Sequence, residues 1–322
     1  MAEQTRDDEA AEAIKDLRAA CQASSLDPAM RVNGWRMIAL HHRRAEEDVL
    51  AVQALQQLES VAGRVALTDD ESTYLATQMA ATHRAEEALS YLAPILDESQ
   101  STAPPVHARR LYLAGQCHAK LGRPEQALAC FKQVVALSVG LEWKSLLAIG
   151  DMLRRLEHYE EAINAYGGLV NVSASRLAVE SLLGRAEAQR ALADHHHQAA
   201  EEIDAKTRLQ EARRDLLRII VLHTHASISP LPQLAHVRLH EVSLAMVAVG
   251  EANVAPSKNL KELIQRYPGT PFETYAQAMQ AELQGRHAEA LQWLGRIARD
   301  DHEDARFRAH VDAARQRITQ RL

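Results

Sequence analysis

The feature that restricts the fold of this chain most is an internal repeat in the middle of its sequence. Two segments of nearly equal length, one from about Ala108 and one from about Trp143, carry the same residue types in the same order. Three pairs of matching residues stand 35 positions apart: Gly115 and Gly150, Ala127 and Ala162, and Phe131 and Tyr166. A period of this length is typical of solenoids, in which each repeat is one supersecondary unit and neighbouring repeats share a continuous core.

The matching residues fit a repeat of two antiparallel helices. A glycine on the first helix lets the second helix approach closely, a small alanine on the second helix receives it, and the aromatic ring fills the space above them. The segments 121–124 and 156–159 separate the two halves as turns, and Pro124 suits the first turn of the helix that follows. The sequence therefore predicts stacked helix pairs.

These residues resemble the tetratricopeptide repeat, a unit of about 34 residues, and the chain is similar to bacterial members of that family. The family positions are filled in the first repeat by Leu111, Ala114, Gly115, Ala127 and Phe131, and in the second by Leu146, Ile149, Gly150, Ala162 and Tyr166. The resemblance implies an all-α fold, a right-handed superhelical solenoid of antiparallel helix pairs, whose role is to bind proteins.

Composition agrees with an all-helical chain that does not bind nucleic acid. Residues that favour helices dominate, whereas glycine (13), proline (10) and aromatic residues (4%) are few. The formal net charge of -6 leaves no excess of positive charge to attract a phosphate backbone. No stretch approaches the roughly 20 apolar residues that span a bilayer, so we expect no direct insertion into a membrane.

The compartment is inferred from the start of the sequence and from its cysteines. The polar run 2–12 contains no basic segment that leads into an apolar one, as an export signal would. Three widely spaced cysteines without a CxxC pair suggest neither a disulfide framework nor a zinc site. We expect a cytoplasmic protein, or a cell-envelope protein if an anchor or signal has been removed, because the turn at 266–271 looks like those in bacterial envelope repeat proteins.

The register of the two clear repeats extends along the chain. Steps of 34 residues join Leu260 to Leu294 and Leu263 to Ile297, and Gly184 marks a further first helix whose partner helix comes late. We interpret residues 194–208 as lengthened helices with a protruding tip, and the alternative is a disordered loop. The predicted parts are an N-terminal helical extension or cap at 1–68, repeats at about 69–102, 108–141, 143–176, 177–224 with an insertion, 237–270 and 271–302, and a C-terminal capping helix at 303–322.

The resemblance also implies a binding groove. In the family, residues of the first helices that face away from the neighbouring helix line the inner surface; here they are Arg109, Tyr112, Gln116, Lys120, Lys144, Leu147, Asp151, Arg154 and Arg155. The set leans basic, so it could receive an acidic peptide or a C-terminal carboxylate through charge-assisted hydrogen bonds. The alternative is that these are solvated helix charges. Tyr112 and Gln116 replace the Lys and Asn of chaperone-binding members, so a chaperone clamp is not expected.

Sixteen histidines raise the question of a metal site. The tightest groups are His41 with His42, His195 to His197, His223 with His225, and His236 with His240. Only the last pair has the i, i+4 spacing of two ligands on one helix face, and it lacks the intervening glutamate of a hydrolytic zinc site. We expect this pair to be solvated surface, and we predict no metal, no cofactor and no catalytic residue. Cys117 and Cys130 are expected to pack in a core.

The function that these observations favour is a protein–protein interaction scaffold or adaptor, which binds a peptide or helix of a partner on the concave face and is not an enzyme. One alternative is a metal-dependent enzyme or metal-binding protein that uses the histidine-rich stretch 195–240. Another is a structural protein that self-assembles through its repeat faces. The sequence does not identify the partner.

Overall fold

The computed structural model describes residues 2–23, 26–97, 103–172, 175–223, 228–297 and 304–322. The chain divides into two compact units, Met1–Leu141 and Glu142–Leu322, which we call the N-terminal and C-terminal units. Throughout the described ranges the regular elements are helices, and no strand occurs. This confirms the predicted all-α class. No helix in the described part of the chain is long and apolar enough to cross a membrane.

The N-terminal unit consists of one leading helix and three antiparallel helix pairs. Its helices are α1 (Ala2–Gln22), α2 (Pro28–Arg44), α3 (Asp48–Ala62), α4 (Asp69–Ala81), α5 (Ala85–Asp97), α6 (Pro104–Lys120) and α7 (Pro124–Leu137), with a short 3-10 helix at Arg64–Ala66. The pairs are α2 with α3, α4 with α5, and α6 with α7. The first of these pairs lies in the region 1–68, where the sequence carries no repeat match.

The C-terminal unit contains four helix pairs and a last helix. Its helices are α8 (Glu142–Arg155), α9 (Tyr159–Gly167), α10 (Ser175–Gln198), α11 (Glu202–Leu222), α12 (Leu231–Ala248), α13 (Pro256–Arg266), α14 (Pro271–Leu283), α15 (His287–Gly295) and α16 (Ala305–Thr319). The pair α10 and α11 is the longest, with 24 and 21 residues. Residues 194–208 form the end of α10, a tight turn and the start of α11.

Local sequence sets where several helices begin. Thr68 and Glu71 form a capping box at α4, because each side chain accepts a hydrogen bond from the backbone N–H of the other residue. Thr270 caps α14 in the same position, and the N–H of Gly269 donates to Glu273 at 2.6 Å. Gly269 has φ +72°, a conformation that glycine adopts without strain. The two caps fix the first turns of helices that carry core residues.

Aromatic rings lie directly against glycines of the first helices. A Cβ atom placed on Gly115 would come within 2.7 Å of the Phe131 ring. A Cβ on Gly150 would lie 2.6 Å from the Tyr166 ring, and one on Gly184 would lie 2.5 Å from the same ring. Tyr166 therefore contacts α8 of its own pair and α10 of the next pair. The small alanines at 127 and 162, opposite these rings on the second helices, are fully buried.

Polar and sulfur-containing side chains are also part of the packed interior. The guanidinium of Arg185 on α10 donates two bonds, of 2.7 and 2.6 Å, to the buried Asp215 on α11. This bidentate geometry is the strong form of an ion pair. Cys117 is buried and Cys130 is half-buried, and burial raises the pKa of both thiols. Raised pKa values keep these thiols protonated and unreactive at neutral pH.

We expect Gly150→Ala to destabilise the C-terminal unit. The added methyl group would overlap the Tyr166 ring, and overpacking of this kind costs about 1–3 kcal/mol. The better helix propensity of alanine offsets about 1 kcal/mol of this. Urea unfolding followed by circular dichroism should therefore show a lower midpoint. Gly295→Ala, where no atom lies within 4 Å of the new Cβ, is the control and should be neutral or slightly stabilising. Equal midpoints for the two variants would contradict the close contact.

Candidate functional site

The predicted groove residues lie in both units. Arg109, Tyr112, Gln116 and Lys120 lie on α6, whereas Lys144, Leu147, Asp151, Arg154 and Arg155 lie on α8.

The α6 set is partly engaged in packing. Arg109 and Gln116 are exposed. The Tyr112 ring packs on Phe131, with ring centroids 5.5 Å apart. The ammonium of Lys120 donates to the carbonyl of Ala80 at 2.8 Å, which ties α6 to the end of α4. Two of the four predicted positions thus have a structural contact in the N-terminal unit.

On α8, the predicted residues near the middle and the end of the helix are those that meet other charged groups. The hydroxyl of Tyr166 donates to Asp151 Oδ1 at 2.6 Å, and burial raises the pKa of the Asp151 carboxyl. Arg154 forms an ion pair with Glu187 of α10 at 3.4 Å. Lys144 at the start of the helix is exposed, and Leu147 is half-buried. Arg155 is exposed as well.

From Arg154 a row of charged side chains continues across the first helices of the C-terminal unit. Glu187 on α10 lies between two arginines: Arg154 on α8, at 3.4 Å, and Arg238 on α12, at 2.6 Å. The side chain of Glu187 is 16% exposed and that of Arg238 is 22% exposed. Ion pairs that are this shielded are screened less by solvent than surface pairs.

Glu241 on α12 extends the row and is shared by two arginines and a histidine. It accepts hydrogen bonds from Arg238 at 3.1 Å and from Arg190 of α10 at 3.4 Å. The Nδ1 of His310, on α16, lies 2.7 Å from its other oxygen. Burial raises the pKa of Glu241, but His310, Arg238 and Arg190 outweigh burial and lower that pKa to about 2. We call Arg154, Glu187, Arg190, Arg238, Glu241 and His310 the inner charge network.

The contacts of the network show that the first helices of the C-terminal unit follow a curve. His310 on α16 reaches Glu241 on α12, although α14 is the first helix between them in the chain. Arg306, one turn before His310, is near Glu180 and Glu187 of α10. Burial lowers the pKa of Arg306, but Asp304 and these two carboxylates raise it above its usual value. Helix α16 is not next to α12 or α10 in this row of helices. Its side chains can reach both only if the row curves toward the face that carries the network.

A cavity of about 150 Å³ opens beside the network. Its lining residues are Arg154, Ala186, Glu187, Arg190, Ala191, Leu216, Arg238 and Val242. The buried Nε of Arg154 has no hydrogen-bond partner among the described residues. Arg190 meets its carboxylates only at 3.4 and 3.8 Å. A guanidinium has five N–H donors, so the cavity wall retains donor capacity that the protein's own carboxylates do not use.

Sequence reasoning placed only Arg154 and the adjacent Asp151 at this surface. A step of 34 residues from these two selects Arg185 and Ala188 on α10. Arg185 instead pairs with Asp215, and Ala188 is buried. The residues of α10 that belong to the network are Glu187 and Arg190, each two positions after the residue that the step of 34 selects. Helix α10 thus presents a different face from α8, and the late arrival of its partner helix in the sequence was the only signal of this change.

The histidine pair on α12 is buried, so the expectation of a solvated pair is wrong. His236 is 1% exposed, and its ring packs edge-on to Tyr267. Among the residues that the structure describes, neither ring nitrogen of His236 has a hydrogen-bond partner. Burial lowers the pKa of His236 to about 4. His240 is also buried, and its Nδ1 lies 3.2 Å from the carbonyl oxygen of Pro256. The reason is that α12 is covered by apolar neighbours on most of its circumference.

The other histidine groups have separate surroundings. His42 is buried between Glu47 and Arg18, at 2.6 and 3.0 Å. Within the ranges that the structure describes, metal-ligand atoms of three residues gather in one place, where His196, Glu201 and Asp204 have donor atoms within 4.8 Å of one another. This group is at the end of α10, and its two carboxylates are exposed. The remaining predicted histidine, at 225, lies outside the described residues.

The buried neutral His236 predicts that acid destabilises the protein. Between pH 6.5 and 4 the unfolded chain binds a proton that folded His236 does not bind, so the free energy of unfolding falls as pH falls. This group alone contributes a loss of up to about 3 kcal/mol. Urea unfolding at pH 7, 5.5 and 4.5 should show a smaller loss for His236→Leu than for the wild type. His197→Gln, at an exposed site, should behave like the wild type; a parallel loss in all three proteins would contradict the prediction.

Comparisons with known proteins agree with the repeat geometry. The family model described as tetratricopeptide repeat matches residues 108–138. A tetratricopeptide repeat protein from Parabacteroides merdae aligns with TM-score 0.59 and 13% identity, over 89% of this chain and 98% of that chain. A thermophilic protein of the same repeat class from Thermus thermophilus aligns with TM-score 0.41 and 18% identity, over 64% and 98%. The apo form of RapI aligns with TM-score 0.49 and 11% identity, over 91% and 82%. No curated protein matches the sequence. The Parabacteroides structure shares the fold.

Proposed function

We propose that this chain, which carries a tetratricopeptide repeat at residues 108–138 and shares the fold of a tetratricopeptide repeat protein, is a scaffold or adaptor that binds an acidic segment of a partner protein at the inner charge network. The observation that carries this proposal is the set of three arginines, Arg154, Arg190 and Arg238, around one cavity. Arginine presents planar N–H donors that match the two oxygens of a carboxylate.

The existing ion pairs leave a place for one more anion. The shortest pair in the wall joins Glu187 and Arg238 at 2.6 Å and can remain intact. Arg154 has an unpartnered Nε, and Arg190 makes only long contacts with Glu241 and Asp194. An incoming carboxylate between Arg154 and Arg190 would gain charge-assisted hydrogen bonds without breaking that shortest pair.

The dimensions of the cavity limit what enters it. A volume of about 150 Å³ corresponds to roughly five water molecules, since each occupies about 30 Å³ in the liquid. One acidic side chain, or the carboxylate of a C-terminal residue, fits this space, and the rest of the segment would lie along the first helices. Because helices hold the arginines in place before binding, little ordering of the site opposes association.

The alternatives receive less support from the arrangement of side chains. The histidine pair proposed for metal is buried in separate environments, with His236 against Tyr267 and His240 against Pro256. The group of His196, Glu201 and Asp204 is exposed, and such groups are common at protein surfaces without an ion. We therefore favour binding of an acidic segment at the arginines over metal binding at the histidines.

We expect Arg154→Gln and Arg190→Gln each to weaken binding of an acidic peptide about tenfold or more. A hydrogen bond to a charged group contributes about 1.5–3 kcal/mol, and about 1.4 kcal/mol corresponds to a factor of ten in affinity. The probe is a fluorescein-labelled peptide of alternating Glu and Gly, and the measurement is fluorescence anisotropy at low salt. The same peptide with Gln in place of Glu reports binding that does not depend on charge.

The matched control is Arg213→Gln, which removes an exposed arginine from the second helix α11. It changes the net charge by the same amount as the test variants and should leave the affinity within about twofold of wild type. Equal losses for all three variants would indicate a general charge effect and would contradict the site. Binding of the Gln peptide as tightly as the Glu peptide would contradict the proposed chemistry.

A further inference from the structure

The C-terminal helix supplies the inner charge network with a group whose charge depends on pH. His310 is buried, and its Nδ1 lies 2.7 Å from Glu241 Oε1. The same carboxylate accepts hydrogen bonds from Arg238 and Arg190, two of the arginines that line the cavity. When His310 is protonated, the negative charge of Glu241 is shared among three cations instead of two. The protonation of His310 therefore changes how far Glu241 compensates the charge of the two arginines.

We infer that protonation of His310 strengthens the binding of an acidic partner at the inner charge network, so that affinity falls when a rise in pH removes the proton from this histidine. The inference rests on the proposed function, because it concerns the regulation of the same surface.

The direction follows from counting charges around Glu241. When His310 is a cation, it neutralises the Glu241 carboxylate, and the charges of Arg190 and Arg238 are available to an incoming anion. When His310 is neutral, the carboxylate stays ionised and is compensated by the arginines alone. The net charge of the network is then lower by one, and a negatively charged ligand is attracted less.

The other charged or titratable groups near the Glu241–His310 pair do not cancel this change. They are Arg238 and His240 on α12, Glu187 and Arg190 on α10, Tyr275 and Glu282 on α14, and Arg306 and Arg317 on α16. The carboxylates are paired with arginines, and burial raises the pKa of Tyr275. Histidine is the side chain whose charge ordinarily changes between pH 5 and 8, and His310 is the histidine in contact with Glu241. Burial lowers the pKa of His240, which favours the neutral form of that ring.

Binding and protonation are then linked in both directions. If the proton on His310 raises the affinity for the acidic ligand by some factor, the bound ligand raises the proton affinity of His310 by the same factor. The protein therefore takes up a fraction of a proton at His310 when the ligand binds near neutral pH. Couplings between neighbouring sites are typically about 5- to 150-fold, and we expect the lower end because Arg190 and Arg238 also compensate the Glu241 carboxylate.

The test measures the affinity of the fluorescein-labelled Glu–Gly peptide for the full chain at pH 5.5, 6.5, 7.5 and 8. The wild type should bind about fivefold more weakly at pH 8 than at pH 5.5. His310→Gln, which keeps a hydrogen-bond donor but cannot become a cation, should bind at all four values like the wild type at pH 8. His197→Gln, at the exposed end of α10, should keep the pH dependence of the wild type.

A second measurement does not depend on a variant. Titration calorimetry of wild-type binding at pH 7, in two buffers of different ionisation enthalpy, should show net proton uptake. No uptake, or a pH dependence that persists in folded His310→Gln, would overturn the inference while the arginine site stands. Absence of binding by the wild type at every pH would overturn both the inference and the proposed function.

Discussion

The contact of the Tyr166 ring with Gly150 and Gly184 sets the spacing between α8 and α10, and much of the C-terminal unit depends on that spacing. Neither helix could come as close if it carried a Cβ atom there. The same side chain reaches the inner face, where its hydroxyl bonds Asp151 one turn from Arg154. One residue therefore joins the packing of two repeats to the position of a charged surface, so a change in the core would be transmitted to the cavity wall.

The inner charge network is a set of half-buried ion pairs that share members. Removing one member leaves its neighbour desolvated without compensation, which is more costly than losing an exposed pair. Glu187 and Glu241 each hold two or more cations, so they fix the separation of guanidiniums that would otherwise repel one another. The two carboxylates therefore hold the arginines in position. Replacing either carboxylate would make the site more positive, but its larger effect would be to disturb the arrangement of the arginines.

Much of the fold could be predicted because the clear repeats use one packing device, an aromatic ring against glycine. The pair α2 and α3 was not predicted as a repeat because its glycine makes a different contact. A Cβ on Gly34 would lie 2.2 Å from Cys21 and 3.5 Å from Leu17, both on α1. Its glycine faces a preceding helix instead of an aromatic ring, so the repeat pattern is absent. Of the inner charge network the sequence predicted only Arg154, since α10 shows a different face from the one that the repeat spacing selects.

The bond between Glu241 and His310 also bears on how this chain can change over evolutionary time. In open repeat arrays each unit touches only its neighbours, so a unit can be duplicated or lost while the remaining contacts persist. Here α12 and α16 meet across the helix pair α14 and α15. An extra pair between them would move His310 away from Glu241, and a missing pair would bring it to the wrong helix. The number of repeats in this part of the chain therefore determines whether the inner charge network can form.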